Sequence, residues 1–102
     1  MYDSIKPWIN VPVIIRPFTG RSGTGDRLFG EPHTELCYPV GEVNIVRNWQ
    51  GVEVVSNSKL YMDGTVKVSE FDNILFEGKD RPVQAISNYY RDGKIDLRVV
   101  YV

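Results

Sequence analysis

Polar and apolar positions alternate in short runs along most of the chain. Val11-Pro12-Val13-Ile14-Ile15-Arg16 is rich in β-branched residues and bounded by prolines, which predicts a strand. Pro12 cannot donate to a ladder, so this strand is expected at a sheet edge or with an irregular start. Val43 and Ile45 alternate with Glu42 and Asn44; after a break at Gln50-Gly51 the pattern resumes at Val52-Glu53-Val54-Val55 and runs towards Lys59-Leu60-Tyr61-Met62. Asp63-Gly64 predicts a two-residue hairpin into Thr65-Val66-Lys67-Val68, because both residues tolerate positive φ. Asn73-Ile74-Leu75-Phe76-Glu77 predicts a short apolar strand, which Gly78-Lys79-Asp80 turns into Arg81-Pro82-Val83-Gln84-Ala85-Ile86. Asp92-Gly93 predicts another turn. In the last strand Ile95, Leu97, Val99 and Tyr101 are expected on one face, with Asp96 and Arg98 on the other. No window has helical periodicity; Ser69-Glu70-Phe71-Asp72 is compatible with one helical turn capped by Ser69. The expected fold is all-β: a small antiparallel β-barrel of six or seven short strands, a barrel being preferred because it leaves no long exposed edges.

One segment breaks the pattern. Residues 17–41 carry no strand signal and hold five of the nine glycines and three of the six prolines. A structureless loop longer than about 12–15 residues is uncommon in a compact domain and is usually functional or disordered. Phe18, Leu28, Phe29, Leu36 and Tyr38 supply apolar anchors that a plain linker rarely has. The segment is therefore expected to be a long protruding loop that orders against a partner. Its candidate contact residues are Arg21, Asp26, Arg27, Leu28, Phe29, Glu31 and His33.

Composition narrows the class. The chain has 102 residues, one domain's worth, and no apolar run approaches the roughly 18 residues of a membrane span. Residues 1–10 carry Asp3 and Lys6 without an apolar core, unlike a signal peptide. Twelve basic against thirteen acidic side chains give a net charge of −1, unlike a protein that coats nucleic acid. The single Cys37 cannot form an internal disulfide, and with the single His33 it cannot build a structural zinc site. No cofactor or metal is expected.

The candidate chemistry is thin. Gly20-Arg21-Ser22-Gly23-Thr24-Gly25 resembles a phosphate cradle, but Asp26-Arg27 stands where a P-loop needs Lys-Ser/Thr, and no helix pattern follows. His33 and Cys37 would make a base and a nucleophile, yet both lie in or beside the glycine-rich segment. Most of the carboxylates sit at turns, where turn chemistry accounts for them. Tyr61, Phe76, Tyr89, Tyr90 and Tyr101 are interleaved with acidic residues and lack a Lys/Arg cluster, so core and interface roles are favoured over stacking on nucleic acid. No enzymatic activity is expected.

A resemblance extends this reading. Leu60-Tyr61-Met62-Asp63-Gly64, Phe71-Asp72-Asn73-Ile74, Glu77-Gly78-Lys79-Asp80-Arg81-Pro82-Val83-Gln84-Ala85-Ile86 and Tyr89-Tyr90-Arg91-Asp92-Gly93-Lys94-Ile95-Asp96-Leu97-Arg98-Val99 follow one another in an order that resembles the head-completion proteins of long-tailed bacteriophages and prophages. These include the stopper or head–tail joining proteins, also called minor capsid proteins. Trp8, the Val11–Ile15 run and Asp26-Arg27-Leu28-Phe29-Gly30-Glu31-Pro32 are similar to the front of that pattern. The resemblance implies a virion protein made in the bacterial cytoplasm, a β-barrel subunit of a homo-oligomeric ring below the portal. A portal or adaptor ring would lie above it, a tail protein below, and packaged DNA in the channel without sequence-specific contacts. It implies that residues 19–35 project towards the channel or a neighbouring ring, and it carries over no catalytic residue. The alternative is a free-standing small barrel that binds a peptide or single-stranded nucleic acid.

Overall fold

Antiparallel pairing accounts for nearly all regular structure in the computed structural model, which describes residues 6–102. A short 3-10 turn (Lys6–Trp8) precedes nine strands: β1 (Val11–Arg16), β2 (Phe18–Arg21), β3 (Arg27–Phe29), β4 (His33–Arg47), β5 (Glu53–Asp63), β6 (Asn73–Phe76), β7 (Lys79–Pro82), β8 (Ala85–Arg91) and β9 (Lys94–Tyr101). Seven of them form one sheet in the order β7-β6-β1-β4-β5-β9-β8, and β2 pairs with β3 alone. The two tight turns that close hairpins are Glu77-Gly78 and Asp92-Gly93, with φ of 54° and 74°, and 53° and 77°. Positive φ at both central residues matches the right-handed twist of the flanking strands.

The sheet is rolled. Laid flat, β7 and β8 would lie six strand spacings apart, about 29 Å. Only Val83 and Gln84 separate them in the chain, a reach of about 11 Å from Pro82 to Ala85. The backbone changes partner at this bend: Val83 N donates to Asp72 O at 3.0 Å, whereas Gln84 N donates to Tyr101 O at 2.7 Å. No ladder joins β7 to β8, so the hydrogen-bonded order stays open and no closed barrel is found among the described residues.

Inside the roll Val13, Ile15, Cys37, Leu60, Met62, Val66, Ile74, Phe76, Val83, Val100 and Val102 form the main core. A smaller cluster, Leu97 and Val99 with Ile9, Tyr61 and Tyr101, packs on the outer face of β5 and β9. The last strand is thus buried on both sides. Its expected single apolar face is corrected: Leu97 and Val99 look outward, while Val100 and Val102 enter the main core.

Four further expectations are corrected. Residues 17–41 are not a loop; they contain β2, β3 and the first part of β4. Pro17 and Pro32 delimit these strands instead of excluding them, and the β2–β3 turn is held by polar bonds that leave no hydrophobic period. Of the two alternatives for β1 the edge is overturned, because β4 and β6 flank it; its start is irregular, since Pro12 lies where only β4 is paired. Residues 65–68 form no strand, although Val66 is buried between exposed Thr65 and Lys67. Their period of two reports an extended chain against the core, not a ladder. Finally, Asp63-Gly64 closes no hairpin: Gly64 N donates to Asp96 O at 3.2 Å, extending the β5–β9 pairing.

Candidate functional site

The β2–β3 hairpin stands off the main sheet and is pinned at its base. Its anchor is Asp72, 5% exposed. One carboxylate oxygen accepts from Phe18 N at 2.8 Å and from Ser69 Oγ at 2.9 Å; the other accepts from Ser69 N at 2.8 Å. Asp72 N donates to Ser69 O at 3.1 Å, so residues 69–72 do form a single hydrogen-bonded turn with Ser69 at its head. A buried carboxylate satisfied by three donors fixes what it touches, because freeing any donor would leave it without water to bond.

Arg27 supplies the second pin. Its guanidinium donates to Asn73 Oδ1 at 3.2 Å and to Phe71 O, and lies over the rings of Phe18 and Phe29 at 5.3 and 5.1 Å. Arg16 covers Phe29 from another side at 4.5 Å and forms an ion pair with Asp80. Phe18 also packs on Phe71 at 5.6 Å, and Phe71 on Trp49 at 5.1 Å. Trp49 arrives from the distant β4–β5 turn. The bulge between Gly41 and Asn44 bends that hairpin, as an extra residue in one strand does.

Two clefts flank Phe18. One, of about 170 Å³, is lined by Arg21, Arg27, Trp49, Glu70, Phe71 and Gln84 among others. The other, an open groove of about 580 Å³, is lined by His33, Lys67, Val68, Asp72 and Arg98 with Phe18. The structure therefore brings Arg27 and Phe29 against the residues that pin the hairpin, leaves Arg21 at its turn end, where its guanidinium donates to Gly25 O at 3.1 Å and lines the first cleft, and sends His33 to the second groove. Asp26 does not join them: its carboxylate accepts from Thr24 Oγ1 at 3.2 Å inside the hairpin turn. Leu28 and Glu31 are exposed on the hairpin and its exit. Phe18, Trp49, Phe71 and Asp72 complete the site without having been candidates; Trp49, from the β4–β5 turn, and Phe71, from the segment before β6, meet although they belong to different elements, and no local pattern signals that.

The Cys37–His33 pair does not form. Both face inward on β4, but four residues of strand separate their Cα atoms by about 13 Å. His33 Nδ1 lies 2.8 Å from Glu35 Oε2 instead. Burial pushes the Cys37 thiol up to about 11, so the thiolate a nucleophile requires is suppressed. No cluster of three or more His, Cys, Asp or Glu side chains placed to hold a metal occurs among the described residues. No helix there is long and apolar enough to cross a membrane. No family model matches the chain, and no curated protein matches it.

Proposed function

We propose that the chain is a structural virion protein, a ring subunit that closes a DNA-filled phage head below the portal and offers the tail its docking surface. The observation that carries this reading is the β2–β3 hairpin. The resemblance implies a projecting contact segment at residues 19–35, and most of this stretch belongs to a preformed hairpin, Phe18 to Phe29, held by Asp72 and Arg27. A hairpin ordered in advance loses less conformational entropy on binding than a loose loop does. Arg21, Asp26, Leu28 and Glu31 are its outward contacts with neighbouring copies, the adaptor or the tail, Arg27 and Phe29 tie it down, and His33 lines the groove beside it. A net charge of −1 suits a wall past which DNA must slide, since phosphate contacts dominate non-specific affinity. In this reading the roll acts as a barrel, completed where the chain turns from β7 into β8, and the protein resides at the head–tail interface after synthesis in the host cytoplasm. Electron microscopy of particles from a phage lacking the gene tests it. Tailless heads that package DNA and then lose it are expected; intact tailed particles with full heads overturn it.

The cleft beside Trp49 favours a second reading, a free-standing module for a peptide or single-stranded nucleic acid, because arginines and aromatic rings together suit both. Salt-dependent oligonucleotide binding by the purified protein, lost in Trp49→Ala and Arg21→Ala, would move the assignment there.

A further inference from the structure

The β4–β5 hairpin runs well past its neighbours. β1 pairs with β4 only as far as Cys37, and the β9 ladder on β5 begins at Lys59. Beyond those points the two strands form a ribbon with one face turned away from the roll. On β5 that face carries Glu53, Val55, Asn57 and Lys59, alternating with Ser56, Ser58 and Leu60, which are buried. On β4 it carries Arg47 opposite Glu53 and Ile45 opposite Val55. The register shift sets Glu42 and Val43 together against Asn57, so both join this face. Val43, Ile45 and Val55 are 71%, 71% and 59% exposed, an adjoining apolar strip on an otherwise polar ribbon. A strip of this kind marks an interaction surface.

The charges around the strip identify the partner. At one end Lys59 Nζ lies 2.7 Å from Glu42 Oε2; at the other, Arg47 Nη2 lies 3.9 Å from Glu53 Oε1. The two pairs run in opposite senses: β4 carries its acid at the first end and its base at the second, and β5 the reverse. A two-fold axis lying in the contact plane across the strands would set each β4 on the other β4, with directions reversed. Glu42 then meets Arg47 of the second copy, Lys59 meets Glu53, and the valines and isoleucines meet each other. Because the bulge sets Glu42 level with Asn57, the midpoint of Glu42 and Arg47 falls at Ile45, and that of Glu53 and Lys59 falls at Ser56. Ile45 is opposite Val55, one position from Ser56, so an axis set between the two lies within about 2 Å of both midpoints and serves both strands.

We propose that this ribbon face is a two-fold contact surface whose partner is a second copy of the same chain. The contact is isologous and closes on itself. It leaves the β2–β3 hairpin free and does not depend on the ring reading. A two-stranded ribbon about 20 Å long lies at the low end of interface sizes, so dissociation is expected in the micromolar range.

Two double variants test it. E42R with K59E, and R47E with E53R, each preserve the ion pairs within a chain and leave the net charge unchanged. Each places like charges opposite one another in its own pair of copies. Mixed together, they restore every opposite-charge contact. Native mass spectrometry and sedimentation at about 100 μM should find wild type as two chains, each double variant as one chain with association at least tenfold weaker, and the mixture as a heterodimer. Ile45→Lys, a single change at an exposed position, should also give one chain. A wild-type mass other than two chains overturns the proposal, as does either double variant pairing with itself like wild type, or a mixture that stays monomeric.

Discussion

Gly64→Ala tests the reason a glycine stands at the end of β5. The alanine methyl would lie 1.9 Å from Ile95 O and 2.5 Å from Ile95 C, far inside any real contact. Both atoms are backbone, so no side-chain rotation relieves the overlap. β5 and β9 would have to separate at this point, releasing the Gly64 N bond to Asp96 O at 3.2 Å and the Arg98 Nε bond to Gly64 O at 3.4 Å. Overpacking of this kind costs about 1–3 kcal/mol and two net hydrogen bonds about 1 kcal/mol each, so a loss of about 4 kcal/mol is expected. That is a large part of the 5–15 kcal/mol typical of a domain, and corresponds to a fall in Tm of about 15–30 °C at this chain length. Urea unfolding followed by circular dichroism measures it. Gly41→Ala is the control: its methyl would meet nothing within 4 Å, and the change should stay within about 0.5 kcal/mol. Gly64→Asn separates two explanations. If the glycine served positive φ in a hairpin turn, asparagine would be tolerated; if it serves close approach, asparagine should do at least as much harm as alanine. A Gly64→Ala protein within about 1 kcal/mol of the parent would refute the reasoning.

Asp72→Ala should cost about 3 kcal/mol, because it strands Phe18 N and Ser69 N near the base of the hairpin, and hydrogen exchange should show Phe18 N losing protection. Cys37 should resist a thiol reagent at pH 8 in the folded protein and react fully once urea unfolds it. Its folded pKa of about 11 lies above the ordinary 9.0, so its stabilising contribution is complete below pH 9 and is lost as pH rises through about 11; melts from pH 8 to 11 should fall, and fall less in Cys37→Ser once the lower baseline of that variant is taken into account. Val99→Asp should fail to fold, since Val99 is buried among Leu97, Tyr61 and Tyr101; a soluble variant that melts cooperatively would refute the placement of that outer cluster.

Strands whose partners leave one face wet were legible in the sequence. Val11–Arg16 reads directly, and Asp92-Gly93 reads as the turn it is, because a tight turn is a local event with local residue requirements. Residues 65–68 show the limit of that logic. Alternation fixes which side chains are inward, but a ladder needs a second backbone, and Thr65–Val68 has none. The final strand shows the opposite failure. Leu97 and Val99 make a convincing apolar face, yet Val100 and Val102 fill the larger core, because residues near the chain start and β5 cover the outer side. Two-sided burial erases the alternation on which a face assignment depends.

The site was less legible, for a related reason. Arg27 could be picked from the glycine-rich segment, but its partners lie 44 and 46 residues away, at Phe71 and Asn73. The same segment looked loose because it is rich in glycine and proline, although Ser22, Gly25 and Asp26 build its turn: Ser22 N donates to Asp26 O at 2.8 Å, and Gly25 N to Ser22 O at 3.0 Å. Polar turn bonds leave no hydrophobic period, so a hairpin held at its tip by them and at its base by one distant carboxylate reads in sequence as a loop. Asp72 carries no local sign of that role either. Before an apolar strand it looks like a turn residue, and only the arrival of Phe18 N from 54 positions away makes its carboxylate the point on which the hairpin depends.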